Sequence, residues 1–572
     1  MNAFKEHVAE LAAGALDAEI NEVVALLGPP RDRERADLAL PCFILAKKKG
    51  TNPVELARTA AAAIEPTPPL AKVEAAGPYL NFTLDAGAVN GAVVGQALEL
   101  GTKFGGSDEG AGKTVLIDFS SPNIAKPFGI HHLRSTVIGA AIGRIMRARG
   151  YVVEGINHLG DWGTQFGQLI VAYRRWGDAK RLDQEGIPYL LEIYVRFNDE
   201  LKSAPEMQDE ARAAFRSLEA GDDDCRALWK KFKDVSETEF RRVYDILGIE
   251  FEHFTGESFY EDKMPAMLDE LEASGLLKES DEATVVDLED DGLGVSLIKK
   301  GDNSTLYVTR DLAAASYRYA TFGFHKALYV VGAAQSLHFK QLFKILEKLG
   351  KPFSEDMAHV PFGLLRFKDA KMSTREGKVI FLEQVLDRAV ELAQSIVEEK
   401  NPELAAEKSI ARAVGIGAVV FNDLKSRRIK DVTFDWEEIL SFDGDTGPYL
   451  QYTHARCANI FRKVGMTPES LVAEGEIDYG LLALAPEREL VRVIAQFEDH
   501  VRRAAAEYEP SVVAQYLLTA AAAFNRFYND DGCRVVGAET TLRNARLALV
   551  RATQITLENG LALLGLEAPD QM

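Results

Sequence analysis

Cysteine is scarce in this chain. Only Cys42, Cys225, Cys457 and Cys533 occur, far apart and with no Cys-x-x-Cys pair. Neither a zinc knuckle nor a disulfide framework is supported, and a reducing, cytosolic compartment is expected. Long apolar runs are missing too: none approaches the ~18 residues a membrane span needs, so no membrane partner is expected. The opening Met1-Asn2-Ala3-Phe4-Lys5-Glu6-His7 is amphipathic and lacks a signal-peptide core. Positive charge is in deficit, with 66 Lys and Arg against 87 Asp and Glu, a formal net charge of -21. That balance excludes a general nucleic-acid binder. A phosphate-bearing partner must instead meet local basic faces on an acidic body, which weakens non-specific binding. There is no low-complexity tract and no internal repeat.

The 572 residues, 47% hydrophobic, allow ordinary cores and roughly three to four domains. Residues 1–108 mix helical stretches with two short strands about a turn between Val73 and Leu84. The basic run Lys47-Lys48-Lys49 reads equally as a basic contact surface or as a solvated face. Gly101 to Gly112 reads as a linker. Residues 114–400 read as an α/β unit interrupted by a charged helical insertion at about 169–247, which includes Asp222-Asp223-Asp224. Its sheet is expected to resume through Thr284 to Leu288, Val295 to Lys299 and Leu306 to Val308. Ala327 to Gly332 reads as a buried strand and Val360 to Phe367 as a hairpin-like segment. Residues 407–572 are mostly helical.

The chain is organised around Ser121-Pro122-Asn123-Ile124-Ala125-Lys126-Pro127-Phe128-Gly129-Ile130-His131-His132-Leu133-Arg134-Ser135-Thr136. The apolar run Thr114 to Phe119 before it is of buried-strand type. Leu133, Val137, Ile138, Ala141, Ile145 and Met146 after it recur at helical spacing, and Tyr151-Val152-Val153 reads as a second strand. This is a βαβ unit, with the loop at the carboxyl edge of a parallel sheet. Pro122 and Pro127 keep the loop out of helix. The helix starts near His131 or His132, so its free N–H groups and positive dipole end suit phosphate.

These residues closely resemble the nucleotide-binding motif of class I aminoacyl-tRNA synthetases, in the form used by arginyl-tRNA synthetases. Asn157-His158-Leu159-Gly160-Asp161-Trp162-Gly163-Thr164-Gln165-Phe166-Gly167 resembles the next block of that family. Gly447-Pro448-Tyr449-Leu450-Gln451-Tyr452-Thr453-His454-Ala455-Arg456, Phe524-Asn525-Arg526-Phe527-Tyr528 and the tail Gly560 to Leu566 resemble its C-terminal blocks. The resemblance implies a Rossmann-like, doubly wound parallel-sheet catalytic domain, an α+β N-terminal domain that touches the tRNA elbow, and an α-helical anticodon-binding bundle. It also implies ATP-dependent ligation of L-arginine to its tRNA through an arginyl-adenylate, with Mg2+ accompanying ATP, no zinc, and tRNA required even for activation. A monomer is expected. One departure is central: the family pattern His-x-Gly-His reads Gly129-Ile130-His131-His132 here.

Activation and transfer require no protein nucleophile, so cations and N–H donors around phosphate are sought, not a triad. Lys371-Met372-Ser373-Thr374-Arg375-Glu376-Gly377-Lys378 resembles the Lys-Met-Ser-Lys loop, with Thr374 in place of the second lysine. By resemblance Lys126 takes part of that lysine's role beside Lys371 and Arg375. His132 is assigned with them to catalysis. Gly129, His131, His132, His158, Gly160, Asp161, Met372 and Ser373 are assigned to ATP. Asp161 reads equally as a turn former in Gly160-Asp161-Trp162-Gly163. A guanidinium wants a carboxylate and a planar acceptor. Tyr307 and Asp311, at a strand end and helix start, match the family's arginine-binding segment. Gln335 matches a third pocket position, and Asn123 and His132 match residues that meet the backbone end of the substrate. Ser121 is assigned to arginine with them, and Glu257 in Thr255-Gly256-Glu257-Ser258 is a further candidate. Taken alone, Asp311 reads as a helix cap and Tyr307 as core. Tyr449, Tyr452, Phe527 and Tyr528 are either stacking surfaces for anticodon bases or core. In Lys425 to Lys430, Arg427 and Arg428 are candidate tRNA-phosphate contacts. No editing domain is apparent. A site built on a buried carboxylate rejects side chains lacking the guanidinium without a second sieve.

Two other readings are weighed. One is a synthetase-like protein with impaired activation that only binds arginine or tRNA, motivated by Gly129 and His131. The other is a nucleotidylyltransferase acting without tRNA, against which the C-terminal bundle speaks.

Overall fold

The computed structural model describes residues 2–30, 36–280, 283–299, 307–368, 380–404, 406–473, 475 and 477–572. In the N-terminal unit β1 (Leu38–Pro41), β2 (Leu70–Ala76) and β3 (Tyr79–Leu84) form an antiparallel sheet of order β1-β3-β2. The β3 residues Leu80, Phe82 and Leu84 are buried while their neighbours are half-exposed, the period-two pattern of a sheet covered on one face. Helices pack on that face in a core of their own. Of the Lys47–Lys49 run, Lys48 and Lys49 pair with Glu22 and Asp17 inside the unit.

The catalytic unit follows with β4 (Thr114–Asp118), β5 (Val152–Asn157) and β6 (His253–Phe254). Next come β7 (Leu277–Ser280), β8 (Ala283–Leu288) and β9 (Gly294–Lys299), then β10 (Lys326–Tyr329) and β11 (Met357–His359). The central sheet is parallel throughout, of order β11-β10-β4-β5-β6. Both faces are covered, as parallel sheets require. On β4, Val115 and Ile117 join the core shared with the helix Leu133–Ala148 and the C-terminal bundle. Leu116 points the other way, into a core with Leu312 and Phe339. The insertion is helical, and Asp222 caps the helix Asp223–Leu247 by accepting from Cys225 N. Acidic residues at that end also suit the helix dipole.

Three expectations are corrected. The central sheet does not resume through 284–299 but only at β10: β7, β8 and β9 make a separate antiparallel sheet. The connection from Glu289 to Leu293 suits an antiparallel turn and is far too short for a parallel crossover. Tyr307 and Val308 are not strand but the start of the helix Tyr307–Phe322. Val308, Leu312 and Ala315 are buried at helical spacing, and the alanine-rich continuation favours helix over the local β-branched residues. Finally, Val360 to Phe367 is no hairpin. β12 (Leu365–Phe367) pairs in parallel with β13 (Val432–Phe434), a strand from much later in the chain.

The C-terminal part is a helical bundle whose members include Gly447–Val464, Ser511–Asn529 and Thr540–Leu564. Pro448 in the first turn and Thr446 as cap start the first of these.

Candidate active site

The loop leaving β4 is strained. Ser120, Ser121 and Ala125 have φ of 70°, 49° and 58°, left-handed values that non-glycine residues hold only where the surroundings impose them. Here they do. Ser120 N donates to Ser135 Oγ at 2.9 Å, and its hydroxyl bonds Thr136 and Tyr244, each at 2.8 Å. Ala125 N donates to Ser236 Oγ at 2.9 Å, and Ser121 Oγ donates to Asp118 at 3.1 Å. The exposed Asn123 is seated on Gly160. Gly160 N donates to Pro122 O at 3.0 Å and Ile124 N to Gly160 O at 3.2 Å, and a Cβ on Gly160 would overlap the Asn123 amide.

A 3-10 turn, Ile130–His132, then leads into the helix Leu133–Ala148. Gly129 is buried and extended, bridged to Phe381. Ile130 N donates to Ile380 O at 3.0 Å and Leu382 N to Phe128 O at 2.9 Å, so this loop is stitched to the segment that follows the second motif. Lys371, Met372, Ser373 and Arg375 lie outside the described residues. The His132 ring stacks on Phe128 at 5.1 Å and lies 4.0 Å from the exposed His131 ring. Its Nδ1 is enclosed and has no hydrogen-bond partner among the described residues. Burial, aided by repulsion from His131, holds the His132 pKa at about 3, so the ring is neutral at physiological pH. Lys126 is half-buried and its ammonium has no ion-pair partner among the described residues.

Beyond the ends of β4 and β5, Glu257, Asp161 and Asp311 gather around what the family resemblance implies is the arginine recess. Glu257 is pushed up to about pH 7 by burial, with Asp311 and Asp161 repelling in the same sense against the pull of Arg310. Arg310 lies 3.7 Å from Glu257 and pairs more closely, at 2.7 Å, with Glu261. Asp161 is fully buried. Its carboxylate takes Lys233 at 2.7 Å, Ser258 N at 2.8 Å and Ser258 Oγ at 2.7 Å. Gly256 passes so close that a Cβ would sit 2.6 Å from that carboxylate. Asp161 thus holds the turn that carries Glu257, with three donors on its carboxylate. His158 borders the recess, its pKa lowered by burial. Asp311 is the fifth residue of its helix, too far inside to cap it. Its Oδ2 instead accepts from His338 Nε2 at 2.7 Å. The side chain of Tyr307 lies outside the described part. Gln335 is exposed at the end of the 3-10 turn Ala333–Gln335.

Two members of this site went unread in the sequence. Arg318, 1% exposed, pairs with Asp118 at 2.8 Å and reaches Tyr260 Oη and His158 Nδ1 at 3.2 and 3.3 Å. No local signal marks it, because its partners come from three distant segments. His338 could have been found: it stands three residues after Gln335, on the same face of a helical segment.

The comparisons with known proteins show the family. The family model for the catalytic domain of class I (R) tRNA synthetases matches residues 93–436. Models for the arginyl tRNA synthetase N terminal domain and the DALR anticodon binding domain match residues 2–84 and 450–572. The chain belongs to the arginyl-tRNA synthetases. It is 46% identical over 571 residues to an arginine–tRNA ligase of Clostridioides difficile, covering 100% of this chain and 98% of the relative. It is 47% identical over 554 residues to one from Exiguobacterium, covering 97% and 96%. Among solved structures it is similar to Thermus thermophilus arginyl-tRNA synthetase, with a TM-score of 0.80 at 26% identity, covering 99% of this chain and 100% of that one.

In this synthetase the bundle presents some of the expected RNA-facing residues and encloses others. Tyr452 and Tyr528 are 39% and 38% exposed. The Arg456 guanidinium lies between them, 4.8 and 4.7 Å from their ring centres. Asn525 bonds Arg456 and donates to Tyr449 Oη at 2.9 Å, which ties Tyr449 into the scaffold. Phe527 is core. Arg427 is open, whereas Arg428 turns inward to donate to the Tyr508 and Glu507 carbonyls.

Proposed function

We propose that this protein joins L-arginine to its tRNA at the expense of ATP. The observation that carries the reading is the identity of 46% to an arginine–tRNA ligase over essentially the whole of both chains. The chemistry runs in two steps. A carboxylate oxygen of arginine attacks the α-phosphorus of ATP, forming arginyl-adenylate and expelling pyrophosphate. A ribose hydroxyl of the terminal tRNA adenosine then attacks the arginyl carbonyl, losing its proton as AMP leaves.

The recess suits a guanidinium: Asp311 and Glu257 supply negative charge at one end of the pocket, with Tyr307 and Gln335 on adjoining segments. Asn123 and Ser121, on the braced loop, take the backbone end. The free ammonium of Lys126 and the N–H groups at the start of the helix Leu133–Ala148 meet the phosphates. Neutral His132 serves as a hydrogen-bonding group, not as a cation. Lys371, Met372, Ser373 and Arg375 complete the phosphate site by family resemblance. Among the described residues no group of three or more His, Cys, Asp and Glu gathers to hold a metal, so Mg2+ is proposed to arrive with ATP as its counter-ion, and no step is assigned to it. Tyr452, Tyr528 and Arg427 face the anticodon arm. A monomer acting in the cytoplasm completes the reading; among the described residues no helix is long and apolar enough to cross a membrane.

The test is arginine-dependent exchange of pyrophosphate into ATP, run with and without arginine tRNA. Exchange that appears when tRNA is added, and charging of that tRNA alone, are expected. Absence of both would refute the proposal.

A further inference from the structure

We propose that His338 is a positioning residue of the arginine pocket, holding the Asp311 carboxylate in the one orientation that receives a guanidinium. The inference rests on the arginine-charging reading above and adds to it a residue that does not itself meet the substrate. His338 Nε2 lies 2.7 Å from Asp311 Oδ2. A carboxylate only accepts, so Nε2 carries the proton and donates. The bond occupies Oδ2 and leaves Oδ1 without a hydrogen bond among the described residues. A guanidinium is a rigid planar fork, and it gains from a carboxylate only when that carboxylate is held in the matching plane.

Asp311 has no other hydrogen bond among the described residues to set that plane, whereas His338 is itself braced. Its ring meets Phe339 edge-on at 5.4 Å, and Phe339 stacks at 4.6 Å on His359, whose Nε2 donates to Val331 O at 2.9 Å. The chain of contacts runs from the end of β10 to the pocket carboxylate. Both side chains of the pair keep about a quarter of their surface, 23% for His338 and 28% for Asp311, so the pair lines an accessible recess and is not a sealed core contact.

The experiment is tRNA-supported pyrophosphate exchange on the wild type, His338→Ala, His338→Phe and His338→Gln, with KM measured separately for arginine and ATP. Loss of one hydrogen bond to a charged group should raise the arginine KM about tenfold in His338→Ala and His338→Phe, with kcat and the ATP KM within about threefold of wild type. His338→Gln restores an N–H donor and should recover most of the arginine affinity. His338→Phe keeps a ring against Phe339, so the comparison with His338→Gln stands even where the alanine variant fails to fold. An unchanged arginine KM in both donor-less variants, an equal rise in both KM values, or a glutamine variant no better than phenylalanine would each overturn the proposal. A wild type that shows no arginine-dependent exchange would instead overturn the arginine-charging reading beneath it.

Discussion

Arg134 and Asp423 form an ion pair in which both side chains are 1% exposed, with Nε 3.1 Å from Oδ2. Arg134 opens the helix after the nucleotide motif, and Asp423 closes the helix Lys408–Leu424. The other guanidinium nitrogens donate to Lys430 O at 2.8 Å and Arg428 O at 3.2 Å. Each of the three guanidinium nitrogens of Arg134 therefore donates to the C-terminal side of the chain. Removing one member strands a buried charge, which costs roughly 3–5 kcal/mol. Asp423→Ala is expected to lower stability by about that amount in urea denaturation. Arg134→Met with Asp423→Leu, apolar on both sides, should lose less than the single change. Equal losses would show that desolvation of the stranded arginine is not the cause.

Glu257 sets a pH dependence. Its folded-state pKa stands at about 7, raised chiefly by burial. Below pH 7 the carboxyl is protonated and offers a guanidinium no charge; above it the carboxylate forms and attraction is gained. Arginine affinity should therefore rise with pH through this window, by up to about tenfold per unit on the acid side. The pKa of His132, about 3, keeps that ring from titrating in the same range. Arginine KM measured from pH 6 to 8 should fall for the wild type and stay flat for Glu257→Gln. A parallel fall in both would assign the dependence elsewhere.

Lys126 is half-buried, has no ion-pair partner among the described residues, and is proposed above to meet the phosphates. Lys126→Ala should reduce the activation rate about 10²–10³-fold while leaving the melting temperature within a degree or two. Single-turnover adenylate formation and a thermal melt read the two separately. Wild-type turnover would exclude Lys126 from the phosphate site.

The altered motif is also open to test. Gly129 is extended, with φ of -83° and ψ of 162°, a conformation any residue adopts. A histidine there meets no backbone penalty. His131 is exposed beside His132, where the family pattern has glycine. Gly129→His together with His131→Gly should raise exchange activity about tenfold or more, the yield of one regained phosphate hydrogen bond. Each single change should give less. A double variant no faster than wild type would mean that this chain holds ATP in its own way.

Much of this was legible in the sequence where the signal is local. The run from Thr114 to Phe119, the prolines at 122 and 127 and the spacing from Leu133 to Met146 specify the βαβ unit with no help from distant residues. Two short stretches misled for the opposite reason. Tyr307-Val308-Thr309 has strand-like composition, but the helix is decided by the alanines after it and by burial against the sheet. β8 and β9 have strand composition correctly, yet composition does not say which sheet a strand joins. In the site, Asp311 and Glu257 were named, but the acidity of Glu257 depends first on its burial by the fold and then on the charges of residues 310, 311 and 161 brought beside it. Arg318 was unreadable because its value lies wholly in tertiary partners.

The pairing of β12 with β13 bears on how the molecule can be cut. A fragment stopping near residue 400 would keep β12 with a bare edge, a template for pairing with another chain, and would keep Arg134 without Asp423. Recombinant catalytic fragments should therefore clump or be degraded unless they extend past Phe434. Conversely, a nick by a protease between the two halves should leave them associated under native conditions. What the sequence separates by tens of residues behaves as one folding unit, in which each half shields the other's exposed strand and buried charge.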